Sequence, residues 1–193
     1  MMPILLNSNG LYHTSGVALF NEIIHTQKIE KKACIITTAD KDYKEKNYHA
    51  VRTKSLLESL GVQVDYLDVE FEDANRITEY KVIYLNGGNP FYLLYHLRSS
   101  KADEIIYKLR DRGHLIVGQS AGAAVLGQSL EHAYVLHPDW NEIQLEDLTG
   151  IGIVSGCVLP HSNRYREQED ILKKYDDKPY KLIRIEDGNC LVL

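Results

Sequence analysis

The amino-acid sequence predicts an α/β fold in which helices cover both faces of a mostly parallel β-sheet. Short apolar runs of strand length alternate with segments of helical periodicity along the 193 residues, which is the pattern of repeated βα units. Strands in such a sheet are buried on both faces, and continuous apolar runs suit that position. A Gly-x-Ser-x-Gly turn between residues 115–118 and 122–129 gives one unit the sequence of a sharp strand-to-helix turn.

The predicted elements follow one another in βα order along the chain. Apolar runs predict eight strands, at residues 3–7, 33–37, 63–67, 82–85, 115–118, 152–159, 182–186 and 189–193. Helical spacing and end signals predict six helices, at residues 16–27, 47–60, 89–99, 102–112, 122–129 and 165–175. In the second of these helices the apolar residues keep helical spacing, and Gly61 suits the position just beyond its end.

Two parts of the chain depart from this alternation. The last two strands are joined through Asp187-Gly188, a turn sequence that predicts a β-hairpin at one edge of the sheet. Residues 130–148 show the weakest pattern and contain Pro138 and Trp140. We expect an irregular loop there, and loops of this length are commonly functional.

Length and composition indicate one globular domain, residues 1–193. The chain is 44% apolar and 25% charged, and its net charge of −5, with scattered basic residues, argues against a nucleic-acid partner. No apolar run is long enough to span a membrane, and the first residues do not resemble a secretory signal. Three cysteines without regular spacing argue against a disulfide framework, and no metal-binding pattern occurs. We expect a cytoplasmic protein without a membrane partner.

Ser120 is the candidate nucleophile. It is the centre of Gly118-Gln119-Ser120-Ala121-Gly122, after a predicted buried strand and before a run of small residues that begins a predicted helix. A tight turn of this kind lifts the serine hydroxyl out of the sheet, and the glycines let neighbouring backbone approach closely. The alternative is an ordinary βα turn in which Ser120 only caps the helix.

His161 is the candidate general base. It follows an apolar strand that Pro160 ends, so we expect it at the same carboxyl edge of the sheet as Ser120, where ligands of open α/β sheets bind. A base at this place could accept the serine proton and return it to the leaving amine. His137 is the next candidate, and a surface-loop histidine is the alternative interpretation.

A third group should orient the imidazole, and the loop that precedes His161 offers several carboxylates. Asp139 lies between Pro138 and Trp140, which could hold it rigidly and shield it partly from water. Glu142 is the nearest alternative. The sequence leaves both open, together with the alternative that each carboxylate only solvates the loop.

The segment Asn86-Gly87-Gly88-Asn89 follows another apolar strand and is the candidate oxyanion site. Two successive glycines let the backbone approach a ligand, so that the amides of Gly88 and Ala121 could both donate to an oxyanion. A phosphate-binding turn is the alternative, but the longer glycine-rich spacings and the P-loop lysine are absent.

Asn89, Arg164 and Arg166 are the candidate substrate-binding residues. Both arginines follow His161 closely, and an arginine can bind a substrate carboxylate through two parallel hydrogen bonds. For each arginine, a helix start with solvated charges is the alternative interpretation.

Three motifs, taken together and in this order, resemble the peptidase E family of serine peptidases, which comprises the aspartyl dipeptidases and the cyanophycinases: Asn86-Gly87-Gly88-Asn89, Gly118-Gln119-Ser120-Ala121-Gly122-Ala123 and Leu159-Pro160-His161. The segment Arg166-Glu167-Gln168 is also similar to one that follows the histidine in aspartyl dipeptidases. The resemblance spans most of the chain. It implies a flavodoxin-like fold akin to that of the class I glutamine amidotransferases, with a nucleophile elbow.

The resemblance also implies roles for single residues. It implies Ser120 as nucleophile and His161 as base, with an acid in the loop between them. Counting back from His161 favours Asp139 as that acid. It further implies the amides of Gly88 and Ala121 as the oxyanion hole, and neither a metal nor a cofactor.

The leading hypothesis is therefore a serine exopeptidase or dipeptidase that hydrolyses small peptides, and the resemblance to aspartyl dipeptidases suggests an N-terminal aspartate in the substrate. We expect a small peptide as the binding partner and a monomer or homodimer. One alternative is a non-catalytic module on the same fold that binds a small acidic metabolite or peptide. Another is a glutaminase-like amidohydrolase, although those enzymes use cysteine where this chain has Ser120.

Overall fold

In a computed structural model of the chain, a six-stranded sheet forms the centre of the molecule; the structure describes residues 2–176 and 181–193. The strands are β1 (Ile4–Asn7), β2 (Lys32–Ile36), β3 (Gln63–Leu67), β4 (Val82–Leu85), β5 (Leu115–Gln119), β6 (Cys157–Pro160), β7 (Leu182–Ile185) and β8 (Cys190–Val192). The central sheet has the order β3-β2-β4-β5-β1-β8. Its first five strands in this order are parallel, and β8 is antiparallel to β1.

Side chains of the central strands alternate between the two faces of the sheet, as the geometry of a strand requires. In β4, Val82 and Tyr84 belong to one buried apolar cluster, and Ile83 and Leu85 belong to another. Because both faces of this strand are buried, its sequence is apolar at every position. The mostly parallel sheet predicted from these continuous runs is confirmed.

Helices cover both faces of the central sheet. They are α1 (Thr14–Thr26), α2 (Tyr48–Ser59), α3 (Pro90–Ser99), α4 (Ala102–Arg110), α5 (Ala121–Leu126), α6 (Glu131–Leu136) and α7 (Glu169–Asp176). On one face, α1 and α2 pack through Phe20 and Leu57. On the other face, α3, α4 and α5 pack through Phe91, Ile106 and Ala123. Short 3-10 segments complete the secondary structure, at Lys44–Lys46, Ala74–Glu79, Pro138–Trp140 and Ser162–Gln168.

The two C-terminal strands do not form the predicted hairpin. β7 pairs in parallel with β6 in a separate two-stranded sheet, and β8 pairs with β1 at the edge of the central sheet. Asp187-Gly188 therefore connects two different sheets. A local turn sequence identifies a reversal of the chain, but it carries no information about these distant partners, and the hairpin prediction was wrong for that reason.

The other predicted elements differ from the structure mainly at their ends. The strand expected at residues 152–159 is confined to β6, and the helix expected at 165–175 begins as a 3-10 segment before α7. Residues 130–148 contain α6 and a 3-10 turn, so the expectation of an irregular loop was wrong for that part. A helix of six residues is too short to show a clear period in sequence. In the described part of the chain, no helix combines the length and apolarity needed to cross a bilayer.

Candidate active site

Ser120 lies on a sharp turn between the end of β5 and the start of α5. Its backbone has φ 49° and ψ −112°, a conformation that a non-glycine residue adopts only where its surroundings hold it. The Ser120 amide donates to the carbonyl of Asn7 at 2.9 Å, which ties the turn to the end of β1. A Cβ at Gly122 would lie 2.2 Å from the carbonyl oxygen of Leu85, so glycine is required for α5 to approach the sheet. The turn therefore has the geometry of a nucleophile elbow.

His161 directly follows β6 and faces Ser120. Its Nε2 lies 3.0 Å from the Ser120 Oγ, within hydrogen-bond distance. The backbone of His161 is left-handed, with φ 57°, and its amide donates to the Ser8 Oγ at 3.0 Å. Ser8 donates in turn to the carbonyl of Ile185 at 2.7 Å. One hydroxyl thus joins the ends of β6 and β7 to the loop that follows β1.

The carboxylate at the other imidazole nitrogen belongs to Asp187. Its Oδ1 lies 2.5 Å from the His161 Nδ1. Asn163 donates from Nδ2 to the Asp187 Oδ2 at 3.3 Å and accepts the Asp187 amide at 2.8 Å. Arg164 donates from Nε to Oδ2 at 2.7 Å and from Nη2 to Oδ1 at 3.0 Å. Contacts with these three side chains hold the carboxylate in one orientation.

This geometry corrects the expectation that Asp139 or Glu142 orients the imidazole. Asp139 is exposed in the turn Pro138–Trp140, and Glu142 lines a neighbouring cleft; no hydrogen bond between either residue and His161 occurs in the described ranges. Asp187 was not among the predicted site residues, because the acid was expected between the serine and the histidine. The signal was present nevertheless: Asp187 follows an apolar strand, and the rule that placed His161 at the carboxyl edge of a sheet applies to it equally.

The pKa values of the imidazole and the carboxylate suit a general base. Burial is the largest influence on the pKa of His161 and lowers it; the hydrogen bond to Asp187 opposes this effect, and the charge of Arg164 adds to it. Burial alone would raise the pKa of Asp187, but hydrogen bonds from Arg164, His161 and Asn163 outweigh it and lower that pKa to about 2. At neutral pH the imidazole is therefore neutral and the carboxylate ionised, as proton abstraction from a serine requires.

Gly88 and Ala121 line the same cavity as Ser120 and His161. At Gly88 φ is 146°, and a Cβ there would lie 2.3 Å from the carbonyl oxygen of Ala39. Among the backbone hydrogen bonds of residues 2–176 and 181–193, none uses the amide of Gly88 or of Ala121. Both donors are therefore available to a ligand at this cavity, as an oxyanion hole requires.

An apolar cavity of about 130 Å³ opens beside Ser120. Its walls combine aliphatic and aromatic side chains, chiefly those of Ala124, Ala133, Leu136, His137, Trp140, Leu159 and Tyr165. The His137 ring stacks on Trp140 with centroids 3.9 Å apart, and its Nε2 lies 2.8 Å from the Tyr165 hydroxyl. His137, the second candidate base, is thus held in the aromatic wall by these contacts, while His161 meets the serine.

A second cavity, which we term the polar cavity, has a volume of about 360 Å³ and shares Ser120 and His161 with the first. It is lined by Ser8, Asn9, Asn47, His49, Gly87, Gly88, Gln119, Ser120, His161 and Arg164. None of these lining residues is an aspartate or a glutamate. No group of three or more potential metal ligands occurs in the part of the chain that the structure describes.

The three residues predicted to bind substrate each have a partner within the protein. Asn89 caps α3 through its Oδ1 and donates from Nδ2 to the carbonyl of Trp140 at 2.6 Å. Arg164 is held by the carboxylate that orients the imidazole. Arg166 lies 3.7 Å from Glu186, and its side chain is 78% exposed. These contacts give Asn89 a structural role and pair both arginines with acidic groups.

Sequence comparison relates the chain to known peptidases. The sequence profile of peptidase family S51 matches residues 4–193. An uncharacterized peptidase of Listeria monocytogenes is 28% identical over 151 residues, which cover 76% of this chain and 73% of the relative. An uncharacterized peptidase of Pasteurella multocida is 26% identical over 139 residues, which cover 70% of this chain and 67% of the relative.

Two solved structures have the same fold. The crystal structure of a candidate peptidase E from Listeria monocytogenes superposes with a TM-score of 0.83 at 26% identity, covering 100% of this chain and 94% of that one. A peptidase from an acI-B1 Actinobacterium superposes with a TM-score of 0.75 at 22% identity, covering 99% of this chain and 82% of that one. Because the second structure is only 22% identical, its similarity to this chain establishes a shared fold and not a shared function.

Proposed function

The chain belongs to peptidase family S51 and is a serine peptidase, and on this premise we propose that it hydrolyses short peptides through an acyl-enzyme formed on Ser120. One observation carries the proposal, namely the continuous line of contacts through the imidazole. The Ser120 Oγ lies 3.0 Å from the His161 Nε2, and the His161 Nδ1 lies 2.5 Å from the Asp187 Oδ1. A nucleophile, a base and an orienting acid at such distances form a catalytic triad.

In the first half of the reaction, the Ser120 Oγ attacks the carbonyl carbon of the scissile peptide bond while the His161 Nε2 takes the hydroxyl proton. Asp187 stabilises the imidazolium that results and keeps its Nδ1 proton in place. The amides of Gly88 and Ala121 donate to the oxyanion of the tetrahedral intermediate. When the intermediate collapses, the C–N bond breaks and the leaving amine takes the proton from His161.

In the second half, a water molecule attacks the ester carbonyl of the acyl-enzyme. His161 accepts a proton from this water and returns it to the Ser120 Oγ as the ester bond breaks. The peptide fragment leaves as a carboxylic acid, and the enzyme regains its starting state. Removal of one oxyanion donor from an enzyme of this type costs roughly 3–4 kcal/mol of transition-state stabilisation.

The site favours short peptides without a requirement for an N-terminal aspartate. The two cavities beside Ser120 measure about 130 Å³ and 360 Å³, volumes that suit a substrate of a few residues. An aspartate side chain in the site would be expected to pair with a cation. Arg164 instead pairs with Asp187, and Arg166 lies beside Glu186.

Ser120→Ala tests the proposed mechanism because it removes the nucleophile and leaves the fold intact. We expect peptide turnover to fall by about 10⁴-fold or more. A fluorophosphonate should label the wild-type protein and fail to label the variant. Ser55→Ala, on the exposed side of α2, is the matched control and should keep both activity and labelling. Turnover by Ser120→Ala at the wild-type rate would contradict the mechanism.

A further inference from the structure

We propose that the polar cavity binds the carboxylate end of a short peptide, and that the amide nitrogen of Gln119 donates a hydrogen bond to it. The inference rests on the proposed peptidase function and specifies which end of the substrate the site recognises. Gln119 immediately precedes the nucleophile, at the end of β5.

The Tyr84 hydroxyl, in the core beneath the sheet edge, fixes the orientation of the Gln119 amide. The side chain is 1% exposed, and its Oε1 accepts a hydrogen bond from the Tyr84 hydroxyl at 2.7 Å. Tyr84 is fully buried in the core, so the hydroxyl holds the amide oxygen on the core side. The Gln119 Nε2 consequently lies on the side of Gly87, where an added Cβ would be 3.7 Å from it. No hydrogen bond within the described residues uses this Nε2, and Gln119 lines the polar cavity.

The Nε2 meets the polar cavity without a hydrogen-bond partner in the described part of the chain, so it is free to donate a hydrogen bond to a bound ligand. The donor therefore points to an acceptor oxygen in the ligand. A peptide carbonyl oxygen and a peptide carboxylate would both satisfy this single contact, so the remaining lining of the polar cavity decides between them.

The remaining lining favours an anion over a cation. No carboxylate side chain lines the polar cavity, so the ammonium end of a peptide would find no counter-charge there. Asn47 and His49 bring the N-terminus of the 12-residue helix α2 to the cavity, where the Asn47 Oδ1 accepts the amides of His49 and Ala50. The dipole of the helix favours negative charge at this end. Of the two charged ends of a peptide, the carboxylate is the one that matches these groups.

A carboxylate bound in the polar cavity determines which peptide bond reaches Ser120. Because the polar cavity shares Ser120 with the apolar cavity, a carboxylate bound beside Gln119 places the C-terminal residue next to the nucleophile. The scissile bond is then close to the C-terminus, and dipeptides with a free carboxylate are the simplest substrates. Peptides with a blocked C-terminus should bind poorly.

Ligand binding to the Ser120→Ala protein tests this directly, because it requires no turnover. We would titrate alanyl-phenylalanine, its C-terminal amide and its N-acetyl derivative by calorimetry. We expect the amide to bind at least about tenfold more weakly than the free dipeptide, which is the effect of losing a hydrogen bond to a charged group. The N-acetyl derivative should bind within about threefold of the free dipeptide.

Variants of Gln119 and Tyr84 in the same background connect the effect to the amide donor. Gln119→Glu keeps an oxygen for the Tyr84 hydroxyl and replaces the donor with a second oxygen, so the preference for the free dipeptide over its amide should disappear. Tyr84→Phe frees the amide to rotate and should reduce that preference by a smaller factor. Gln27→Glu adds the same charge at an exposed position after α1 and should leave the preference unchanged.

Three results would overturn the assignment. Equal binding of the dipeptide and its amide would show that the terminal carboxylate is not recognised. Loss of binding on N-acetylation would place the ammonium end in the site. Binding of amidated peptides only when they carry an acidic side chain would assign the cavity to that side chain. Failure of the proposed function would give a different result. The wild-type protein would then show neither turnover nor fluorophosphonate labelling, while the binding preferences of Ser120→Ala could still be measured.

Discussion

At the scale of single residues, the state of His161 depends on groups that reach it through Asp187. The carboxylate accepts hydrogen bonds from the imidazole, from Asn163 and from Arg164. An imidazole held in this way presents its unprotonated Nε2 to the Ser120 hydroxyl. The Asp187 carboxylate is therefore itself held in place by its partners. A change in Asn163 or Arg164 should alter the state of His161 through it.

Asp187→Asn should reduce kcat by about 10⁴-fold, because an amide at this position can stabilise the wrong imidazole tautomer and cannot stabilise the imidazolium. The measurement is steady-state turnover of a short peptide, with circular dichroism to confirm the fold. Asp139→Asn is the matched control and should retain activity near the wild-type value, since Asp139 is exposed in a separate turn. A large loss in Asp139→Asn together with an active Asp187→Asn would restore the assignment favoured by sequence alone.

Arg164→Gln should move the acidic limb of the pH–rate profile to higher pH. The positive charge of Arg164 lowers the pKa of His161, so its removal raises that pKa, and a more alkaline solution is then needed to deprotonate the base. The measurement is kcat/KM as a function of pH. Arg166→Gln removes an equal charge from a side chain that is 78% exposed and should leave the limb in place. A shift of the limb to lower pH in Arg164→Gln would contradict this electrostatic role.

At the scale of secondary-structure elements, the elbow depends on how closely α5 approaches the sheet. Gly118 and Gly122 lie on either side of Ser120, and a Cβ at Gly118 would lie 2.7 Å from the Cα of Ala123. Backbone atoms cannot move aside as the end of a flexible side chain can. The strained φ and ψ of Ser120 are therefore maintained by close packing between β5, α5 and β4.

Gly122→Ala should destabilise the fold by about 3 kcal/mol, because the new Cβ would overlap the carbonyl oxygen of Leu85 at 2.2 Å. Urea unfolding measures the change in the free energy of unfolding. Gly152→Ala separates this overlap from backbone strain: a Cβ there meets no atom within 4 Å, but φ is +73°, so the cost should be about 1–2 kcal/mol. Equal losses in the two variants would show that the contact with β4 is not what requires glycine.

The sequence was informative where structure is local and less so where it depends on pairing across the chain. The βα alternation and the elbow around Ser120 follow from periodicity and glycine spacing, and both are present. The hairpin through Asp187-Gly188 was wrong because β7 and β8 pair with strands that are distant in sequence. The same error concealed the acid, since an apparent hairpin turn gives no reason to expect Asp187 beside His161.

At the scale of the whole molecule, the site joins segments from both ends of the chain. The Ser8 hydroxyl donates to the carbonyl of Ile185, 177 residues away, and the Gly188 amide donates to the Asn9 Oδ1, 179 residues away. These contacts show that Asp187 reaches His161 only when the loop after β1 and the loop after β7 meet. The proposed catalytic geometry thus depends on the whole fold, and loss of global stability removes it.

Acid sensitivity of the fold should depend strongly on His132. This residue is fully buried beside the apolar cavity, its Nε2 lies 2.9 Å from the Val158 carbonyl, and burial lowers its pKa to about 4. The ordinary histidine pKa is about 6.5 and applies to the unfolded chain. Between these values the unfolded chain binds a proton that the folded protein does not, so stability decreases as the pH falls from about 6.5 towards 4. The loss from pH 7 to pH 5 should be about 2 kcal/mol from this group.

His132→Gln isolates that contribution, because glutamine is a neutral donor that can serve the same carbonyl and does not titrate. Urea unfolding at pH 7 and pH 5 should show a decrease in the free energy of unfolding that is about 2 kcal/mol smaller in the variant than in the wild type. Other histidines with lowered pKa values, such as His114 and His161, titrate in both proteins and cancel in the comparison. An identical decrease in the two proteins would mean that His132 is protonated as readily in the folded state as in the unfolded one.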